Sequence, residues 1–115
     1  MTNLHSTFTV GPLLIEAFRE CQRLTMRDMD HKTIFELLAS AGEELGELSR
    51  ELKIAHKTFG NSHKKPDEGT KAESVDLAIV ALAIFYAEGG THDELVELMC
   101  KKLAKWNENA SKSSR

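Results

Sequence analysis

The 115-residue sequence predicts an all-α fold, a four-helix bundle. Three observations predict it. Apolar residues recur in steps of three and four through four segments, a threonine stands three residues before a glutamate ahead of two of them, and no stretch reads as a credible strand. The length suits one domain, expected over residues 12–109, with an N-terminal segment over 1–11 and a disordered polar tail over 110–115.

Gly11-Pro12 marks the first helix start, because proline is tolerated in the first turn, where its missing donor costs nothing. Leu14, Ile15, Phe18, Cys21 and Leu24 then give one apolar face from about Pro12 to Met26. Thr33 and Glu36 form a capping-box pattern that opens the second helix, expected from Ile34 to about Lys57. Its apolar positions run Ile34, Leu38, Ala41, Leu45, Leu48, Leu52, Ala55, the seam of a helix packed lengthwise on others. Glu44, Glu47 and Glu51 each precede a seam residue by one, about 100° round the helix, so they line the edge of the stripe and can face a cleft. Phe59 to Thr70, with Gly60, Asn61, Pro66 and Gly69, reads as a mobile loop. The third helix begins near Lys71 or Ala72 and carries Glu73 and Asp76, after which Leu77 to Ala87 is uncharged. A helix apolar all round is buried all round, so a further subunit is expected to cover part of it. Gly89-Gly90 ends it, and Thr91 with Glu94 repeats the capping box before a fourth amphipathic helix marked by Leu95, Met99, Leu103 and Trp106.

Composition excludes several classes. A net charge of −3 with both signs interspersed argues against a nucleic-acid binder, whose footprint is normally basic. Cys21 and Cys100 are too few for a disulfide framework or a zinc knuckle, and two buried apolar thiols in a reducing cytoplasm are the simplest expectation. The first residues lack a basic start followed by an apolar core, so no export signal is read. The longest apolar run falls well short of the roughly 20 residues a membrane-spanning helix needs, so no membrane partner is expected.

Function is sought in the carboxylates. Ala41-Gly42-Glu43-Glu44-Leu45-Gly46-Glu47-Leu48 and Glu73-Ser74-Val75-Asp76-Leu77 each set acids three or four residues apart, neighbours on one helix face. Crowded like charges resist burial unless a shared cation offsets the cost. No lysine or arginine interrupts Glu43 to Glu47, whereas a surface helix usually interleaves positive partners there. A metal site built from two helices is the reading. Hard oxygen ligands without histidine or cysteine at matching spacing select magnesium, manganese or calcium, and no glutamate has the histidine three residues on that a di-iron bundle wants. Magnesium binds phosphate oxygens together with a few carboxylates, which implies a phosphorylated substrate and a nucleophilic water.

Glu43-Glu44-x-x-Glu47, an interval of 25 residues, then Glu73-x-x-Asp76 resembles the signature of the MazG-like all-α nucleoside triphosphate pyrophosphohydrolases, the superfamily that includes MazG proteins, dCTP pyrophosphatases and dimeric dUTPases. The similarity extends from about Ile34 to Asn109. It implies magnesium, with manganese a possible substitute and two or more ions per site, held by Glu44, Glu47, Glu73 and Asp76 with Glu43 assisting. It implies cleavage of a nucleoside or deoxynucleoside triphosphate between the α and β phosphates, and a homodimer or homotetramer. The family's last helix commonly ends with lysine and, four residues later, asparagine; here Lys102 with Asn107 is one residue too far, and Lys105 with Asn109 is the other choice.

Softer substrate contacts are Lys53, His56, Lys57, Lys64, Lys65 and Lys71 around the loop, which either neutralise a triphosphate or solubilise the segment. His31 and Phe35 lie two to three turns before the glutamates, within reach of a stacked base, with a core role the alternative for Phe35. Trp106 is a second stacking surface or the end of an apolar stripe. Two other functions stay open: a non-catalytic helical interaction module with a solvated acidic face, and a metal-dependent hydrolase of another phosphoanhydride.

Overall fold

The computed structural model describes residues 11–57 and 69–113, and all regular structure among them is helical. Four helices follow in order: α1 Gly11–Asp28, α2 Ile34–Ala55, α3 Thr70–Ala87 and α4 His92–Ser113. The mobile loop expected over Phe59 to Thr70 lies outside the described residues up to position 68, as do residues 1–10 of the expected N-terminal segment.

Local chemistry accounts for the boundaries. At the start of α2 the Glu36 amide donates to Thr33 Oγ1 at 3.2 Å. Both halves of the box form at α4: the Glu94 amide donates to Thr91 Oγ1 at 3.2 Å, and the Thr91 amide to Glu94 Oε1 at 3.1 Å. Between them α3 ends in a Schellman motif, with the Gly89 amide on the Tyr86 carbonyl and the Gly90 amide on the Phe85 carbonyl, each at 3.0 Å. Gly89 has φ +89°, a left-handed conformation that a side chain resists, and a Cβ at Gly90 would run into the Phe85 ring. The tail expected to be disordered from residue 110 is instead helical to Ser113. Ser111 Oγ donates to the Asn107 carbonyl at 3.1 Å and Lys112 pairs with Glu108 at 3.2 Å, and no glycine or proline interrupts the segment.

α2 and α3 pack lengthwise, and α1 lies on α3. The α2–α3 pair is antiparallel: Glu44 and Glu47 meet Glu73 toward one end, and Leu37 meets Ile79 and Ala83 around a shared cavity toward the other. Cys21 Sγ on α1 donates to the Ile79 carbonyl at 3.8 Å, and burial pushes its thiol pKa up. The Phe18 and His92 rings, 6.2 Å apart, bring α1 beside the start of α4. Leu95 is buried, but every side chain from Lys101 to Lys112 is exposed. Among the described residues no helix is long and apolar enough to cross a membrane.

The expected seam of α2 does not face its neighbours. Leu38, Leu45 and Leu52 are 61%, 57% and 40% exposed, whereas Glu51 is 1% exposed. The face one residue earlier, Leu37, Glu44 and Glu51 at seven-residue steps, carries the residues that meet α3 or leave solvent. The expectation that the apolar stripe packs lengthwise on the other helices is therefore corrected in part: Leu38, Leu45 and Leu52 turn outward while Ile34, Ala41 and Leu48 are half-buried, and of the acidic edge Glu44 and Glu51 turn inward while Glu47 stays exposed.

Candidate metal centre

Three carboxylates from two helices converge. Glu44 and Glu47 of α2 and Glu73 of α3 each offer an oxygen, and these oxygens lie within 4.8 Å of one another. Glu44 and Glu47 share a helix face by their three-residue spacing, and antiparallel packing brings the first turn of α3 across from them. The cluster runs from solvent inward, with Glu47 exposed. Glu73 is 3% exposed, Glu44 is half-buried, and Oε2 of Glu44, Glu51 and Glu73 is withdrawn from solvent.

The donor set fits a hard divalent cation. Oxygens around magnesium at about 2.1 Å stand roughly 3 to 4 Å apart, and around calcium at about 2.4 Å somewhat farther, so the observed spread needs little adjustment to grip either. Charge also favours this, because carboxylates drawn together at the edge of a helix pair repel one another unless positive charge sits among them. Zinc, which prefers nitrogen and sulfur, finds no such ligand in the cluster.

The other described residues read from the sequence lie outside the three that meet. Asp76 is half-buried one turn after Glu73, on the helix that supplies the cluster, but is not among the carboxylates that meet within 4.8 Å. Glu43 is exposed beside Glu44 and is likewise outside the three. Lys53 and Lys57 are exposed at the C-terminal end of α2, two to three turns beyond Glu47, and Lys57 takes a left-handed φ of +52° just after the helix cap. His31 is exposed in the turn between α1 and α2, and Phe35 is 75% exposed in the first turn of α2. Lys102, Lys105, Asn107, Asn109 and Trp106 are exposed on the distal half of α4, which does not pack along α2 or α3. Lys64 and Lys65 lie outside the described residues.

Glu51, which the sequence places on the cleft edge and outside the expected ligand set, is the most deeply buried acid described. Its Oε1 accepts from Arg50 Nη1 at 3.3 Å. The signal was present in the sequence as the seven-residue step from Glu44, which returns it to the same face within about 20°.

A cavity of about 160 Å³ adjoins the same helix pair, lined by Cys21, Thr25 and Asp28 of α1, Leu37 of α2, and Ile79 and Ala83 of α3. Leu37 stands seven residues before Glu44, and Ala83 seven after Asp76, so the cavity lies about 10 Å along the helix pair from the acids. Its polar rim is set by α1. Thr25 Oγ1 donates to the Cys21 carbonyl at 2.7 Å, and the Arg27 guanidinium beside Asp28 holds its carboxyl below the usual range. None of the protein-family models matches the sequence, and no curated protein or solved structure matches it either.

Proposed function

We propose that the protein is a metal-dependent nucleotide pyrophosphohydrolase of MazG-like type, a cytoplasmic homodimer or homotetramer that hydrolyses a nucleoside or deoxynucleoside triphosphate to the monophosphate and pyrophosphate. The observation that carries this reading is the meeting of Glu44 and Glu47 with Glu73 from a separate helix, two of them partly or wholly out of solvent. Glu44, Glu47 and Glu73 would hold magnesium, and Asp76, one turn along α3, stands next in line as a ligand. A bound divalent ion supplies positive charge for the phosphate oxygens and favours ionisation of a nearby water.

The chain's own residues do the rest. A water oxygen bonds to the α phosphorus as the bond from that phosphorus to its bridging oxygen breaks, and the electron pair leaves with pyrophosphate. Glu43, exposed four residues before Glu47, is the carboxylate left to take the water's proton. The cavity beside α1 lies at a distance that ribose and one phosphate can span, and its volume is close to the roughly 150 Å³ that accepts a single benzene-sized ring. Lys102 or Lys105 of α4, with Asn107 or Asn109, reaches phosphate only if another copy brings that helix across the acids, because α4 does not pack along α2 or α3 of its own chain.

Pyrophosphate release from each of the common nucleoside triphosphates, with magnesium and then with chelator, tests the reading. Magnesium-dependent pyrophosphate supports it. Orthophosphate alone would move the site to another phosphoanhydride, and no turnover with any nucleotide would leave a non-catalytic helical module.

A further inference from the structure

The cavity beside α1 has a one-sided hydrogen-bonding rim. Its walls are apolar, with Leu24 of α1, Leu37 of α2, and Ile79 and Ala83 of α3, and its volume of about 160 Å³ suits one six-membered ring. Three polar groups break these walls, and all come from α1: Cys21, Thr25 and Asp28. Steps of four and three residues put them on one helix face. Each has its hydrogen already spent or carries none. Thr25, 6% exposed, donates its hydroxyl proton to the Cys21 carbonyl at 2.7 Å, the bond back along the helix that a four-residue step allows. The Cys21 thiol donates to the Ile79 carbonyl at 3.8 Å. Asp28, with Arg27 Nη2 at 3.0 Å from Oδ1 and Lys32 Nζ at 3.8 Å from Oδ2, is held ionised and only accepts. Toward a molecule in the cavity the rim therefore offers lone pairs and no donor.

We infer that the cavity selects a pyrimidine carrying an exocyclic amino group over its oxo counterpart. The amino group of cytosine brings two N–H donors at one position, enough for Thr25 Oγ1 and the Asp28 carboxylate together. Uracil has a single ring N–H set between two carbonyl oxygens, so it satisfies one acceptor while turning an oxygen on the other. A mismatch of that kind discriminates against the wrong ligand as well as failing to hold it. A cationic ring gains little more than a neutral one, because Arg27 and Lys32 already balance the Asp28 charge. That the ring belongs to a nucleotide rests on the pyrophosphohydrolase reading, whose family resemblance takes in cytosine and uracil nucleotides alike. The preference for an amino group rests on the cavity alone.

Binding of deoxycytidine monophosphate and of deoxyuridine monophosphate to the full chain, with magnesium present, tests the inference by calorimetry and by amide chemical shifts. The cytosine nucleotide should bind at least about 10-fold more tightly, with the largest shifts at Thr25, Asp28, Leu37 and Ala83. Asp28→Asn keeps the side chain's shape but adds N–H donors, and should bring the two affinities to within about 3-fold of each other. Thr25→Val removes the other acceptor and should narrow the preference in the same direction. The two variants change separate atoms, and circular dichroism identifies which of them folds, so a folding defect in one leaves the other to decide. Equal or tighter binding of the uracil nucleotide, shifts away from the cavity, no binding of either nucleotide, or an unchanged preference in the folded variants would overturn the inference. No pyrophosphate from any triphosphate, with the cytosine preference intact among the monophosphates, would overturn the hydrolase reading and uphold the assignment of the cavity.

Discussion

Two faces of one helix, a single residue apart in register, meet opposite fates. Leu37, Glu44 and Glu51 turn toward α3 or out of solvent, while Leu38, Leu45 and Leu52 look out into water. An isolated amphipathic helix does the reverse. Withdrawing a carboxylate from water and leaving a leucine in it are both unfavourable, so positive charge beside Glu44 and Glu51, as Arg50 supplies to Glu51, and apolar cover over Leu38, Leu45 and Leu52 would each lower the cost. On the reading proposed above, the inward acids are placed for a metal ion and the outward leucines for another copy of the chain, and the contrast is what separates the two roles.

The largest expected effect comes from breaking the inward face. Glu73→Gln keeps the shape of a side chain that is 3% exposed and removes its charge. Turnover should fall at least 100-fold, and the increase in melting temperature on adding magnesium should vanish. Without metal, the melting temperature of the same variant shows which term dominates at Glu73: a higher value than the parent's means repulsion among the three carboxylates, a lower one means that protein groups hold the charge. Asp76→Asn sharpens the boundary of the site. An equal loss of turnover would make Asp76 a ligand alongside the three that already meet, and undiminished turnover would confine the site to those three.

Next in size are changes that leave both faces intact but loosen what aligns them. Gly89→Ala forces a side chain into φ +89° at the α3–α4 connection and should lower stability by about 1–2 kcal/mol, read as a fall of roughly 5–10 °C in melting temperature. Thr91→Ala removes one half of the capping box at α4 and should cost about 1 kcal/mol. Neither should alter metal affinity if the metal site belongs to the α2–α3 pair. The smallest effect is kinetic. Burial raises the Cys21 thiol pKa, so less thiolate is present at a given pH, and alkylation at pH 8 should be slower than for an exposed thiol and should quicken as pH rises.

Much of the fold could be read from letters because its boundaries are local. Thr33, Thr91 and the Gly89-Gly90 pair act through hydrogen bonds to residues three to five positions away, so the helix starts and the α3 stop lie where the sequence puts them. The polar composition past Asn109 reads as fraying when taken alone, whereas Glu108 and Lys112 stand at the spacing of a helical ion pair and α4 continues through them. For the site, the pairing of the Glu44–Glu47 segment with Glu73 was legible as a pattern of acids without interleaved bases. What a single helix's periodicity does not carry is which neighbour covers which face. A seven-residue step gives Leu38, Leu45 and Leu52 a common direction, and gives Leu37, Glu44 and Glu51 another, but the choice of which faces α3 depends on both helices together. The same holds for α4, whose lysines and asparagines have suitable chemistry but stand on a helix that does not pack along α2 or α3.

The central claim is that carboxylates from α2 and α3 close on a divalent ion, and manganese binding followed by electron paramagnetic resonance addresses it without requiring any substrate. Titrated with manganese, the parent chain should show saturable loss of the free-ion signal, competed by magnesium, with the binding abolished in Glu73→Gln. Identical titrations of the two proteins, or no saturable binding by the parent chain, would contradict it.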